Sequence, residues 1–203
     1  AWRTIPPYWA ALVLSIIIAA VLLQPDTGPA AFAKAFAVHG LLLQDVIGSQ
    51  SPNGALWSIA VEWQIYFVFP LILLLGRRVG FPVAVLLTAA VVLAAHGVAS
   101  LGRPFAAIHH LTPQFLVLFA FGVLGVRLGP LTSSAGRRRS LAAAALGALA
   151  LFVALALTQG SEWMVAQFFW TDLLFGVCVA CLLALMHAGG GARLRAVLTS
   201  RLS

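Results

Sequence analysis

The sequence predicts an all-α fold: a polytopic transmembrane helix bundle of about six spans plus one interfacial or re-entrant helix, in a single integral membrane domain over residues 1–203. Three observations predict it. Only 8% of the residues are charged and 62% are hydrophobic, too few charges to cover the surface of a soluble domain. The apolar residues fall in runs long enough to cross a bilayer as helices, with neither strand alternation nor heptads. The cations gather just beyond those runs, where positive charge sets membrane orientation. Their placement also answers the net charge of +7. A nucleic-acid partner needs a continuous basic face, which short loops do not supply, so the expected partner is the lipid bilayer.

Six stretches are long and apolar enough to span, at about 8–23, 56–76, 81–99, 113–128, 141–158 and 167–187. The first follows AWRTIPPYW and ends at the turn QPDTGP. No charged start with a short apolar core precedes it, so a signal peptide is not expected. Next comes AFAKAFAVHGLLLQDVI (31–47), whose Lys34, His39, Gln44 and Asp45 are too costly for a lipid-facing span. If it does not cross and the amino end is cytoplasmic, ten of the twelve Lys and Arg residues fall inside, leaving Lys34 and Arg103 outside. If it crosses, the bias reverses, so the positive-inside rule makes 31–47 the interfacial or re-entrant helix.

The loop GSQSPNG leads into ALWSIAVEWQIYFVFPLILLL (55–75), the second span. The third run ends near His96, and His109–His110 follow in AAIHHLTP. Adjacent histidines do not share a helix face, so these read as a solvated loop. LGP and TSSAG punctuate the chain around Arg127 and Arg137–Arg139, and the small residues of LAAAALGALALFVALAL suit close helix packing. Asp172, at the start of the last span, reads equally as a helix-start acid and as a cavity acid. The C-x-x-C pair Cys178 and Cys181 lies within that apolar helix, where zinc would need two further ligands. It reads as packing, and no metal site is expected. His187 closes the span as an interface residue.

The anomaly is Glu62, an acid in the middle of the second span. On a helix, Ser58, Glu62 and Tyr66 are spaced four apart and share one face, with Trp57 beside them. An intramembrane carboxylate costs roughly 2.5–3.5 kcal/mol on insertion scales and ordinarily faces the protein interior or a wet cavity. One reading is a catalytic or relay acid. The other is an acid paired with a neighbouring helix to fix packing.

ALWSIAVEWQIYFVFPLIL resembles the L-W-S-L-S-V-E-E-Q-F-Y-L-x-x-P segment of the acyltransferase 3 family of integral membrane O-acyltransferases. Leu56, Trp57, Ser58, Val61, Glu62, Gln64, Tyr66 and Pro70 match it, while Trp63 stands where the family commonly has a second acid and Ile65 where it has Phe. WRTIPPYWAAL is similar to the family's R-I-x-P-x-Y-W entry into a membrane helix, through Arg3, Pro6, Tyr8 and Trp9. HGLLLQDVIG resembles the stretch before the tryptophan-serine motif. Together these cover essentially the whole chain.

The resemblance implies transfer of an acyl group, commonly acetyl, from acyl-CoA to a hydroxyl of a carbohydrate or related small-molecule acceptor. Acyl-CoA, acetyl-CoA in the commonest case, is the donor co-substrate, with no bound cofactor. The site then comprises Glu62 as the catalytic residue, with Trp57, Ser58, Tyr66, Arg3 and His39 binding substrate. It also implies that the chain is the middle of a domain of roughly ten helices. Two helices carrying an arginine and a catalytic histidine would lie ahead of Ala1, with a further helix after Ser203. The expected location is the bacterial inner membrane. A transporter or flippase using Glu62 as a relay, and a catalytically inactive fragment, are the alternatives.

Overall fold

The computed structural model describes residues 4–23, 28–47, 53–102, 111–132 and 134–187. Among these residues every regular element is helical, as expected. In order they are α1 (Ile5–Ile18, continued by a wider turn over Ala19–Leu23), α2 (Pro29–Gly40), α3 (Gln44–Ile47), α4 (Trp57–Val79), α5 (Phe81–Ser100), α6 (Gln114–Leu128), α7 (Ala135–Ala166) and α8 (Phe168–Leu185). Arg3, Arg103, His109–His110, Arg193, Arg195, Arg201 and most of the loops 24–29 and 48–54 lie outside the described residues.

Among the described residues five stretches are long and apolar enough to cross a membrane: Ile5–Leu22, Gly54–Val79, Phe81–Ser100, Ala135–Ala166 and Phe168–Leu185. At the expected span 113–128 lies a shorter apolar helix. This helix, α6, has 15 residues, about 22 Å at 1.5 Å per residue, short of a hydrocarbon core of about 30 Å. Thr112 turns to φ 43 just ahead of it, and Gly129–Pro130 tightens the other end into a single 3-10 turn. The segment 31–47 is two helices, α2 and α3, and neither is long enough to cross. The span expected at 141–158 starts earlier, at Ala135, where the Ser134 hydroxyl accepts the Arg137 N–H at 3.3 Å as an N-cap. It runs on to Ala166 only through a break at Gly160, whose φ of 82 suits glycine alone.

The chain divides into two compact units, Ala1–Val68 with Ala95–Pro113, and Phe69–Ala94 with Gln114–Ser203, the divisions falling inside α4 and α5. The first unit packs Tyr8 and Leu12 of α1, Leu42 of the α2–α3 turn, and Leu56 and Ala60 at the α4 end, with Ile16, Ile59 and Trp63 against them. The turn is a Schellman motif. The Leu42 N–H bonds the His39 carbonyl and the Leu43 N–H the Val38 carbonyl, both at 2.9 Å. Its left-handed position is Leu42, at φ 58, where glycine is usual. The side chain is 5% exposed, and its burial among those residues holds a strained backbone in place.

In the second unit, α8 packs against both α6 and α7. Small residues set the α6–α8 approach. A Cβ on Gly125 would stand 2.6 Å from the Ala180 carbonyl oxygen, and one on Gly176 would strike the Leu118 side chain. Val92, Val117 and Phe169 form the core beside this contact. Phe152 of α7 meets Phe175 of α8 at 5.1 Å between ring centroids, and Arg127 lies 4.7 Å over the Phe81 ring.

The helices keep large apolar side chains outward. Leu22, Leu86, Val91 and Leu157 are 71, 69, 69 and 81% exposed. Only 6% of the apolar stretch of α7 is buried. In water this surface would be an aggregation site, whereas in hydrocarbon it needs no cover, and helices satisfy their own backbone there.

Candidate functional site

The Glu62 helix is introduced by a built cap. The Asn53 side chain accepts the Ala55 N–H at 3.0 Å and starts the 3-10 turn Gly54–Leu56, which runs directly into α4. The Asn53 amide also donates to the Ser15 hydroxyl of α1 at 3.3 Å. Gln44, 5% exposed, donates to the Leu56 carbonyl at 3.4 Å. Gln64, on another face of α4, donates to Asp45 at 3.4 Å. Two of the polar residues that made 31–47 too costly as a span, Gln44 and Asp45, thus hold α3 to the first half of α4.

The amino-terminal motif has a structural use of the same kind. The Tyr8 hydroxyl donates to the His39 carbonyl at 2.8 Å, and the Trp9 indole N–H donates to the Gly40 carbonyl at 3.0 Å. Both acceptors lie in the last turn of α2, whose carbonyls have no partner within the helix. Tyr8 and Trp9 therefore fasten α1 to the end of α2.

Within this frame Thr4, Ile5, Leu42, Ile59, Glu62, Trp63 and Tyr66 line a narrow cleft of about 10 Å³. The Tyr66 hydroxyl donates to a carboxylate oxygen of Glu62, one helical turn away. The i, i+4 spacing read from the sequence thus becomes a contact, and it fixes the carboxylate on the cleft wall. Trp63 packs edge-on against Phe67 at 5.2 Å between centroids, so where the family commonly has a second acid this chain puts an aromatic wall.

The other sequence-derived candidates are placed differently. Ser58 shares the helix face but sends its hydroxyl back to the Ala55 carbonyl at 3.2 Å, within its own turn. Trp57 is 44% exposed and does not line the cleft. His39 is fully buried and also outside the lining, with its carbonyl engaged by Tyr8. Arg3 lies outside the described residues, next in sequence to Thr4. Sequence reasoning did not single out Thr4, Leu42 or Trp63 as lining. Trp63 was visible as the departure from the motif, but nothing local marked the other two. Cys178 and Cys181 are free thiols, and among the described residues no three His, Cys, Asp or Glu side chains converge as a metal group would require.

Apolar helices of membrane length, with a carboxylate and a phenol held together on the wall of a cleft, define an integral membrane protein with a polar site on one of its spans. The chain belongs to the acyltransferase 3 family: the model of that family's acyltransferase domain matches residues 1–203. No curated protein and no solved structure matches the chain.

Proposed function

We propose that the protein transfers an acyl group, acetyl in the first place, from acyl-CoA to a hydroxyl of a carbohydrate or related acceptor, with Glu62 in the reacting cleft. The observation that carries this reading is the Tyr66–Glu62 hydrogen bond on the wall of that cleft, on the very helix that bears the family motif.

In the transfer, the acceptor oxygen attacks the thioester carbonyl, the hydroxyl proton passes to a base, and the CoA thiolate leaves and is protonated. Glu62, held by Tyr66, orients and charge-balances the imidazole that the resemblance implies, as a carboxylate does in hydrolase triads. The narrow cleft suits the acceptor hydroxyl and not a bulky donor. Arg77 and Arg78 end α4, Arg127 ends α6 and Arg137–Arg139 open α7. All are exposed, and guanidinium geometry suits the phosphates of CoA. With α6 and its following 3-10 turn counted as a crossing, the positive-inside rule puts these arginines on the cytoplasmic face of an inner membrane and Lys34 on the outer face.

The test is acyl transfer in membranes from cells expressing the natural polypeptide. Glu62→Gln keeps the shape of the side chain and removes its charge, and a fall of at least ~100-fold with normal membrane levels is expected. Transfer retained within a few-fold would remove Glu62 from the mechanism.

A further inference from the structure

Asp172, the acid of α8, lines a cavity of about 160 Å³ in the second unit together with Leu118, Gly122, Phe175, Gly176 and Val179. Gln114 opens α6 one turn before Leu118 and two before Gly122, so the three lie on one stripe of that helix. It is 1% exposed. The Asp172 carboxyl lies beside its amide, yet neither the amide nitrogen nor the amide oxygen completes a hydrogen bond among the described residues. A buried amide with both ends unmade is costly to fold and rare, and it calls for a partner.

The chemistry of the pair narrows that partner. A metal ion or an ammonium would engage the oxygens and leave the amide N–H unmade. An anion would meet Asp172. A hydroxyl both donates and accepts, so it answers carboxylate and amide N–H together, and a vicinal diol would reach the amide oxygen as well. Apart from Asp172 the lining is apolar, and the volume matches that of an engineered cavity of about 150 Å³ that holds benzene. A sugar, polar all round, does not suit such walls.

We propose that this cavity binds the hydroxyl end of an apolar alcohol, whose O–H donates to Asp172 and accepts from the Gln114 amide nitrogen while its hydrocarbon lies along Leu118, Gly122 and Phe175. The cavity shares no lining residue with the Glu62 cleft, and the proposal stands whether or not that cleft performs acyl transfer.

The experiment uses the full chain in lipid nanodiscs with two photolabels, a diazirine-bearing octanol and the same diazirine on octane, mapped by mass spectrometry. The alcohol is expected to label peptides of α6 and α8 at least ~5-fold more than the alkane. Asp172→Leu and Gln114→Leu should bring the two probes level. Gly122→Leu adds a side chain to the cavity lining where a Cβ meets nothing within 4 Å, leaves the polar pair unchanged, and should weaken labelling by both. Equal labelling of the wild type by the two probes would overturn the proposal. So would a preference for the alcohol that survives both leucine variants, which would leave the pair holding an ordered water only. If a polar-pair variant fails to insert, the wild-type comparison and Gly122→Leu still decide.

Discussion

Leu42 holds a left-handed backbone that leucine disfavours by about 1–2 kcal/mol, and it does so for the sake of a side chain that is 5% exposed. Its substitutions therefore separate backbone from packing. Leu42→Ala should cost about 2–4 kcal/mol, because the side chain is removed from the cluster of Tyr8, Leu12, Leu56 and Ala60 while the strain stays. Leu42→Gly loses about 0.8 kcal/mol more for the last carbon and about 0.5–1 for backbone freedom. It recovers about 1–2 kcal/mol of strain, so the two variants should be level. Val38, 8% exposed in the helical part of α2, is the reference position. There no strain is relieved, and Gly should be worse than Ala by about 1.5–2 kcal/mol. Unfolding in mixed micelles, followed by tryptophan fluorescence, to which Trp63 on the same cluster contributes, measures all four variants. An equal glycine penalty at Leu42 and Val38 would refute the account of the turn.

Tyr8→Phe removes the hydroxyl on the His39 carbonyl and should cost about 1 kcal/mol in the same assay; no change would mean that the Leu42 N–H on the same carbonyl suffices. Gly125→Ala drives a methyl against the Ala180 carbonyl oxygen and should cost about 1–3 kcal/mol. Gly147→Ala meets nothing within 4 Å and should be neutral or gain up to about 1 kcal/mol in helix propensity. Indistinguishable melting of these two glycine variants would count against the α6–α8 packing. For orientation, Lys34→Cys should react with an impermeant maleimide from the outer side of spheroplasts, and Arg78→Cys only after lysis. The opposite pattern would reverse the assigned topology.

What the sequence made legible was what depends on neighbours along the chain. Span positions follow from the length of apolar runs. The Tyr66–Glu62 contact follows from a spacing of four on a helix. The missed features depend on distant partners or on a residue used against its preference. Tyr8 and Trp9 find their acceptors 31 residues away, and those acceptors are carbonyls, which carry no side-chain signature. Leu42 hides a turn because leucine ordinarily extends a helix, and only its burial pays for the left-handed backbone. Ser58 kept the face read for it and still turned its hydroxyl inward, since a backbone carbonyl within its own turn competes with any ligand. The α6 shortfall was written in Pro113 and Gly129–Pro130, but continuous hydropathy over 114–128 outweighed them.

The fastening of α1 to α2 has a consequence for biosynthesis. The first helix leaves the ribosome carrying a phenol and an indole whose acceptors are still 31 residues from being made. At a synthesis rate of about 5–20 residues per second, that is a wait of roughly 2–6 s. During it α1 has no hold on α2, and Tyr8 and Trp9 are without these acceptors. Only when the end of α2 emerges can the two helices lock. A ribosome pause anywhere in the intervening stretch would lengthen the life of an inserted but unfastened α1, the form in which membrane quality-control proteases would meet it.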